Sequence, residues 1–181
     1  IAGRSPRTRR PPSIRIRRSP ENPLALFSPK PVSPRLERLR ALSLFVNLTP
    51  RELQIVDGLL HEREFLKDEV IFDEGEEGQA IYIVLAGSVL ICRQGRPVEG
   101  RIAELGTGTF FGDLALLDNA PRVAQARAAT ACRLAVFFRA DFLGLLETHA
   151  LIASKISLQL ARHIGIRLRE ATLGARQDHH L

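Results

Sequence analysis

Apolar residues change their spacing twice along this chain, and each change marks a change of architecture. Across residues 39–60 the spacing is helical. Within that stretch Leu48-Thr-Pro-Arg-Glu-Leu is a helix start, with Thr49 as N-cap, Pro50 at the first helical position and Glu52 at the third. Leu48 and Leu53 are placed to staple it. From Glu64 the runs shorten. "EFLKDEVIFDEGEEG" ends in acidic-glycine turn chemistry, "AIYIVLAGSVLICRQG" is two apolar runs parted at Ala86-Gly87-Ser88, and "RIAELGTGTFFG" is dotted with glycine. With the later pair "VAQARA" and "CRLAVFF", these Val-, Ile- and Phe-rich segments punctuated by glycine predict an antiparallel barrel or sandwich. After "RADF" the helical period returns. Ile152, Ile156, Leu160, Ile164 and Leu168 recur every four residues, with Ser154, Lys155, Arg162 and Arg167 off the stripe. Such a stripe needs cover, either from its own barrel or from the same helix of a second chain.

Charge divides the chain differently. Of the 181 residues, the first 40 hold eleven Lys and Arg against two Glu, and the rest hold fifteen against eighteen acidic residues, so the net charge is +9 and then −3. The basic segment repeats Ser-Pro, and its prolines remove backbone donors and disfavour helix before them, so residues 1–38 are expected to be a disordered tail. That tail is either a solubilising leader or a contact for an acidic partner, a nucleic acid or an anionic membrane surface. No apolar run is long enough to span a membrane, and Arg and Pro interrupt every candidate secretory signal. A cytoplasmic location with Cys92 and Cys132 as reduced thiols is therefore expected. The first residue is Ile rather than Met, which suggests a trimmed chain or a piece of something larger.

The chemistry concentrates in "FGDLALLDNAPRVAQA", residues 111–126. Gly112 permits close approach of a ligand to the backbone, and the free N–H groups at the start of the turn that follows it are anion donors. Arg122 follows the turn and can fold back over it, offering a planar fork to phosphate oxygens, each charge-assisted bond contributing roughly 1.5–3 kcal/mol. Asp113 would repel a phosphate. Its carboxylate is suited to a neutral donor such as a sugar hydroxyl.

This segment resembles the phosphate-binding cassette of the cyclic nucleotide-binding domain family, the sensor of catabolite activators and of protein kinase A regulatory subunits, whose pattern is Phe-Gly-Glu-Leu-Ala-Leu, a short gap, then Pro-Arg and small residues. "FGDLALL" and "PRVA" match it, and the likeness extends to "VIFDEGEEGQAIYIVLAGSVLI" and "ELGTGTFFGD", covering residues 39–172 and leaving 173–181 as a short tail. The resemblance implies a mainly β fold with flanking helices: an eight-stranded jelly-roll-like barrel with N-terminal helices and a long C-terminal helix. It implies a bound cyclic nucleotide, with phosphate at Gly112, Leu114, Ala115 and Arg122, ribose at Asp113, and Val123 and Ala124 closing the cassette. Asp113 stands where the family carries Glu, one methylene longer, so reaching a 2′-hydroxyl requires loop movement or a bridging water. Family members that favour cGMP often carry Thr directly after the arginine; Val123 has no hydroxyl, which favours cAMP by about 1–3 kcal/mol.

The resemblance further implies a regulatory module in which ligand capture moves the C-terminal helix, with that helix also a homodimer contact. A transcription regulator with this sensor would need a helix-turn-helix, two helices of about 11–12 residues plus a turn. The 13 residues after Leu168 cannot hold that, unless the chain is a piece of a regulator, channel or transporter. Catalysis is not expected: His61, His149, His163, His179 and His180 include no pair spaced along a strand for a metal, and no Ser, Cys or Lys sits in a nucleophile context. The shortened Asp113 keeps a further alternative open, a barrel that retains the fold without ligand and serves for docking or dimerisation.

Overall fold

The computed structural model describes residues 34–118 and 120–177, with side chains to residue 173. The Ser-Pro-rich segment before Pro34, Asn119 and the pair His179 and His180 lie outside the described residues. Two short helices, α1 (Pro34–Arg40) and α2 (Pro50–Asp57), precede eight strands: β1 (Leu60–Phe65), β2 (Val70–Phe72), β3 (Ala80–Ala86), β4 (Ser88–Arg93), β5 (Arg96–Gly106), β6 (Phe110–Phe111), β7 (Gln125–Ala128) and β8 (Cys132–Phe138). Helices α3 (Arg139–Thr148) and α4 (Ala150–Gln177) follow. All strand pairs are antiparallel and form two four-stranded sheets, ordered β1-β8-β3-β6 and β2-β7-β4-β5.

The continuous helix expected over residues 39–60 is not formed. Leu39, Leu42, Phe45 and Leu48 lie three apart, and the chain follows that period: Leu42 N–H donates to Leu39, Phe45 to Leu42 and Leu48 to Phe45, at 3.1, 3.0 and 2.9 Å. These are successive turns of the tighter 3₁₀ kind, and all four side chains are buried. Thr49 then resets the backbone to an extended conformation and caps α2, with both halves of the capping box in place: Glu52 N–H to Thr49 Oγ1 at 3.3 Å and Thr49 N–H to Glu52 Oε2 at 2.7 Å. The first described helix also begins at Pro34, inside the segment expected to be tail as far as residue 38. Arg35 fixes it by ion pairs to Asp57 and Glu62. At the other end α4 continues to Gln177, past the expected boundary at 172.

Strand alternation builds two cores. From β3, Ile81, Ile83 and Leu85 point to the helices, while Val84 and Tyr82 point between the sheets. In β8, Phe137 and Ala135 join the first group and Leu134 and Cys132 the second. Both strands are buried on two faces, which is why their sequences read as near-continuous apolar runs. On α4, Ile152, Ala153, Ile156 and Leu160 are buried in the first core, whereas Leu168 is 66% exposed. The near half of the stripe is therefore covered by its own barrel. Beyond Ile164 the helix leaves that cover.

Candidate functional site

Strand β6 delivers the chain to Gly112, whose φ of +73° is left-handed and opens a single 3₁₀ turn over Asp113–Leu116. An added Cβ at Gly112 would lie 2.6 Å from Arg122 Nη1 and 3.2 Å from the Ala80 carbonyl oxygen. A side chain here would collide with the folded-back arginine, so the glycine serves both the turn and the guanidinium. The backbone of Arg122 is fastened to the turn between β2 and β3: its N–H donates to Glu76 O at 2.7 Å, and its carbonyl accepts from Gly75 N–H at 2.8 Å. Glu77 and Pro121 form a bridge beside it.

Held this way, the Arg122 side chain turns inward. Nη1 donates to Gly112 O at 3.2 Å and Nη2 to Ala80 O at 2.8 Å, and the guanidinium carbon lies 4.1 Å from the Phe72 ring centroid. Phe72, Tyr82 and Phe111 form an aromatic platform, with Tyr82 stacked on Phe111 at 5.3 Å. Burial draws the guanidinium below the usual arginine range, opposed by Tyr82 and Glu76, and burial raises the Tyr82 phenol. Arginine stays charged at neutral pH, so the result is a half-buried cation with no carboxylate bonded to it among the described residues. Its Nε–H is buried without a partner. Three other arginines share that property, but only Arg122 lines the cavity described next.

That cavity is about 410 Å³ and mostly apolar. Its size falls within the roughly 300–1,000 Å³ common for small-ligand sites. Gly112, Asp113, Leu114, Ala115, Arg122, Val123 and Ala124 all line it. They differ in access. Leu114 and Val123 are exposed, Ala115 and Ala124 are buried, and Asp113 is only 3% exposed. Asp113 is also engaged: Arg167 Nη1 from α4 lies 3.1 Å from its Oδ1 and 3.4 Å from Oδ2. Phe72, Ile91, Ile102 and Leu105 supply apolar wall, and His163, whose ring packs on Phe110 at 4.6 Å, joins Arg167 as the wall from α4.

The particular α4 residues, His163 and Arg167, and the aromatic seat under Arg122 are the parts that sequence reasoning missed. Arg167 stood out only as a polar position beside an apolar stripe, and nothing in the order of residues says which turn of a helix faces a pocket 54 positions away. The arrangement presents a cation with unused donors at one end of an apolar cavity, backbone amides beside it, and a carboxylate nearby. It suits an anionic ligand with a flat apolar body.

The family profile described as "Cyclic nucleotide-binding domain" matches residues 62–149. The chain is 35% identical over 136 residues to the cyclic AMP receptor protein of Thermus thermophilus, covering 75% of this chain and 61% of that protein. It is 32% identical over 124 residues to a cAMP-dependent protein kinase regulatory subunit of Mycosarcoma maydis, covering 62% of this chain and 24% of that one. The crystal structure of the Thermus thermophilus catabolite activator protein superposes with a TM-score of 0.63 at 35% identity, over 75% of this chain and 62% of that chain. The chain thus spans less than two thirds of the length of each.

Proposed function

We propose that this chain, whose residues 62–149 match the cyclic nucleotide-binding domain profile, is a regulatory module that captures a cyclic purine nucleotide, cAMP in preference to cGMP. The observation that carries this reading is Arg122, folded inward onto Gly112 O and Ala80 O with donors to spare at the edge of an apolar cavity. A cyclic phosphodiester carries one negative charge and two free oxygens. It would take those donors together with the amides opening the turn at Asp113 and Leu114. The apolar wall from β4 and β5 would take the base.

Val123 supports the adenine preference, having no hydroxyl for the guanine amine, and the Thermus thermophilus relative is named for cyclic AMP. The output is movement of α4, which reaches the cavity with His163 and Arg167 and therefore senses its contents. The exposed Ile166, Leu168 and Leu173 on its far half give a homodimer a surface to cover. The protein works as a ligand sensor rather than an enzyme, in the cytoplasm or on the cytoplasmic side of a larger protein. One observation favours a second reading, a barrel without ligand: the carboxylate that would meet the ribose already has a cation, Arg167.

A ligand that binds only the folded state raises the thermal midpoint through RT ln(1 + [L]/Kd). Millimolar cAMP is expected to raise it more than cGMP does, with 5′-AMP weaker than both. No shift with any cyclic nucleotide would replace the sensor reading by the second.

A further inference from the structure

The turn between β2 and β3 and the limb that carries Arg122 into β7 are laced together in antiparallel order. Strand pairing ends at Phe72 opposite Ala126. Beyond it Gln125 Nε2 donates to Asp73 Oδ1, Arg122 shares backbone bonds with Gly75 and Glu76, and Glu77 bridges to Pro121. Glu74 continues the series through a third residue. Its Oε1 accepts from Arg93 Nη1 at 2.8 Å and its Oε2 from Gln94 N–H at 3.1 Å, and the same Arg93 nitrogen donates to the Val123 carbonyl at 2.9 Å. That nitrogen has two hydrogens, so one serves each acceptor. The pairing of β4 with β5 shifts register on both sides of Cys92, and such a bulge re-aims the side chains beside it, here Arg93. The Arg93 and Glu74 side chains are 58% and 31% exposed, so as an ion pair they contribute little. Their effect lies in fixing the carbonyl next to the anchor arginine.

We propose that Arg93, held by Glu74, is a positioning residue for the ligand anchor: it pins the Val123 carbonyl and so keeps Arg122 and the cavity wall at Val123 in their binding arrangement before a ligand arrives. This inference rests on the cyclic-nucleotide reading and adds to it two residues, one from the β2–β3 turn and one from the end of β4, neither of which lines the cavity. A limb that leaves this arrangement part of the time lowers the apparent affinity by the fraction that remains competent.

The test is calorimetric titration of cAMP into the full 181-residue chain as wild type, Arg93→Met, Glu74→Met, the double variant and Arg101→Met, together with amide exchange over residues 122–125. Arg101 is the control, since its side chain is 57% exposed and pairs with Glu104 on its own strand at 2.9 Å. Arg93→Met is expected to bind cAMP about fivefold more weakly, and Arg101→Met, which loses the same charge, to stay within about twofold of wild type. Glu74→Met decides the sign: removing a negative charge would by itself tighten an anion, whereas loss of the clasp weakens it, again by about fivefold. The double variant should match Arg93→Met rather than multiply the two losses. In the free chain residues 122–125 should exchange faster in the Glu74 and Arg93 variants than in wild type, and cAMP should narrow that gap. Tighter binding by Glu74→Met, or equal affinities for Arg93→Met and Arg101→Met, overturns the proposal and leaves the pair as surface charge. Unaltered exchange over residues 122–125 also overturns it. If wild type itself binds no cAMP, the cyclic-nucleotide reading fails and takes this role with it, an outcome told apart by the silent wild type.

Discussion

Replacing Gly112 by alanine separates the turn from the guanidinium that it accommodates. Gly112 has φ +73°, and a Cβ there would meet Arg122 Nη1 at 2.6 Å. Gly95 has φ +72° with nothing within 4 Å of its would-be Cβ. Both substitutions force an L-residue into the left-handed region, at roughly 1–2 kcal/mol. For a chain of this size that corresponds to a fall of about 2–8 °C in the thermal midpoint. Only Gly112→Ala also pushes Arg122 from its seat on Phe72 and from the Gly112 and Ala80 carbonyls. The nearest atom is the end of a flexible side chain, so the chain should still fold. The displaced arginine would forfeit a charge-assisted bond to the phosphate worth roughly 1.5–3 kcal/mol, about tenfold to a hundredfold in affinity. Thermal melts of wild type, Gly95→Ala and Gly112→Ala, each with and without cAMP, measure both effects. Gly95→Ala should lose stability and keep the full ligand-induced rise; Gly112→Ala should lose stability and most of the rise. Equal ligand responses in the two variants would refute the claim that this glycine exists to seat the arginine.

Two further outcomes follow from groups away from the cavity. Glu52 is held below its ordinary value of 4.5, first by the Lys155 ammonium at 2.7 Å and then by the Thr49 N–H. A depressed carboxylate contributes stability that is present above the unfolded value and lost as pH falls through the folded one. The urea midpoint of wild type should therefore drop below about pH 4.5, and Glu52→Gln should flatten that drop by about 1 kcal/mol while keeping the cap; identical pH profiles would contradict it. Burial raises both the Cys92 and Cys132 thiols, and both are free. Iodoacetamide at pH 7.5 should label neither in the native protein and both in urea, and rapid native labelling would show that one of them is accessible.

Much of this molecule is legible in its sequence because its signals are local. The Thr49-Pro50 start sets α2 through hydrogen bonds three residues apart, and the cassette from Gly112 to Arg122 is one short segment closing on itself. The two apolar runs around Gly87 are β3 and β4. Residues 39–48 misled because a three-residue apolar period also satisfies a loose helical pattern, and what distinguishes them is the extended backbone that Pro50 imposes on Thr49. The contributions of Phe72, Tyr82, His163 and Arg167 depend on which strands become neighbours and which turn of α4 meets the barrel. Those are long-range outcomes of packing, and the residues carry no sign of them in their immediate neighbours.

Calorimetric titration of cAMP into wild type and Arg122→Ala measures the central claim, that a half-buried guanidinium with unspent donors is the anchor for a cyclic phosphate. Wild type should bind one nucleotide per chain, and the variant, losing two or more charge-assisted bonds, should bind at least about a hundredfold more weakly. Equal affinities would contradict that claim, since the ligand would then be held somewhere Arg122 does not reach.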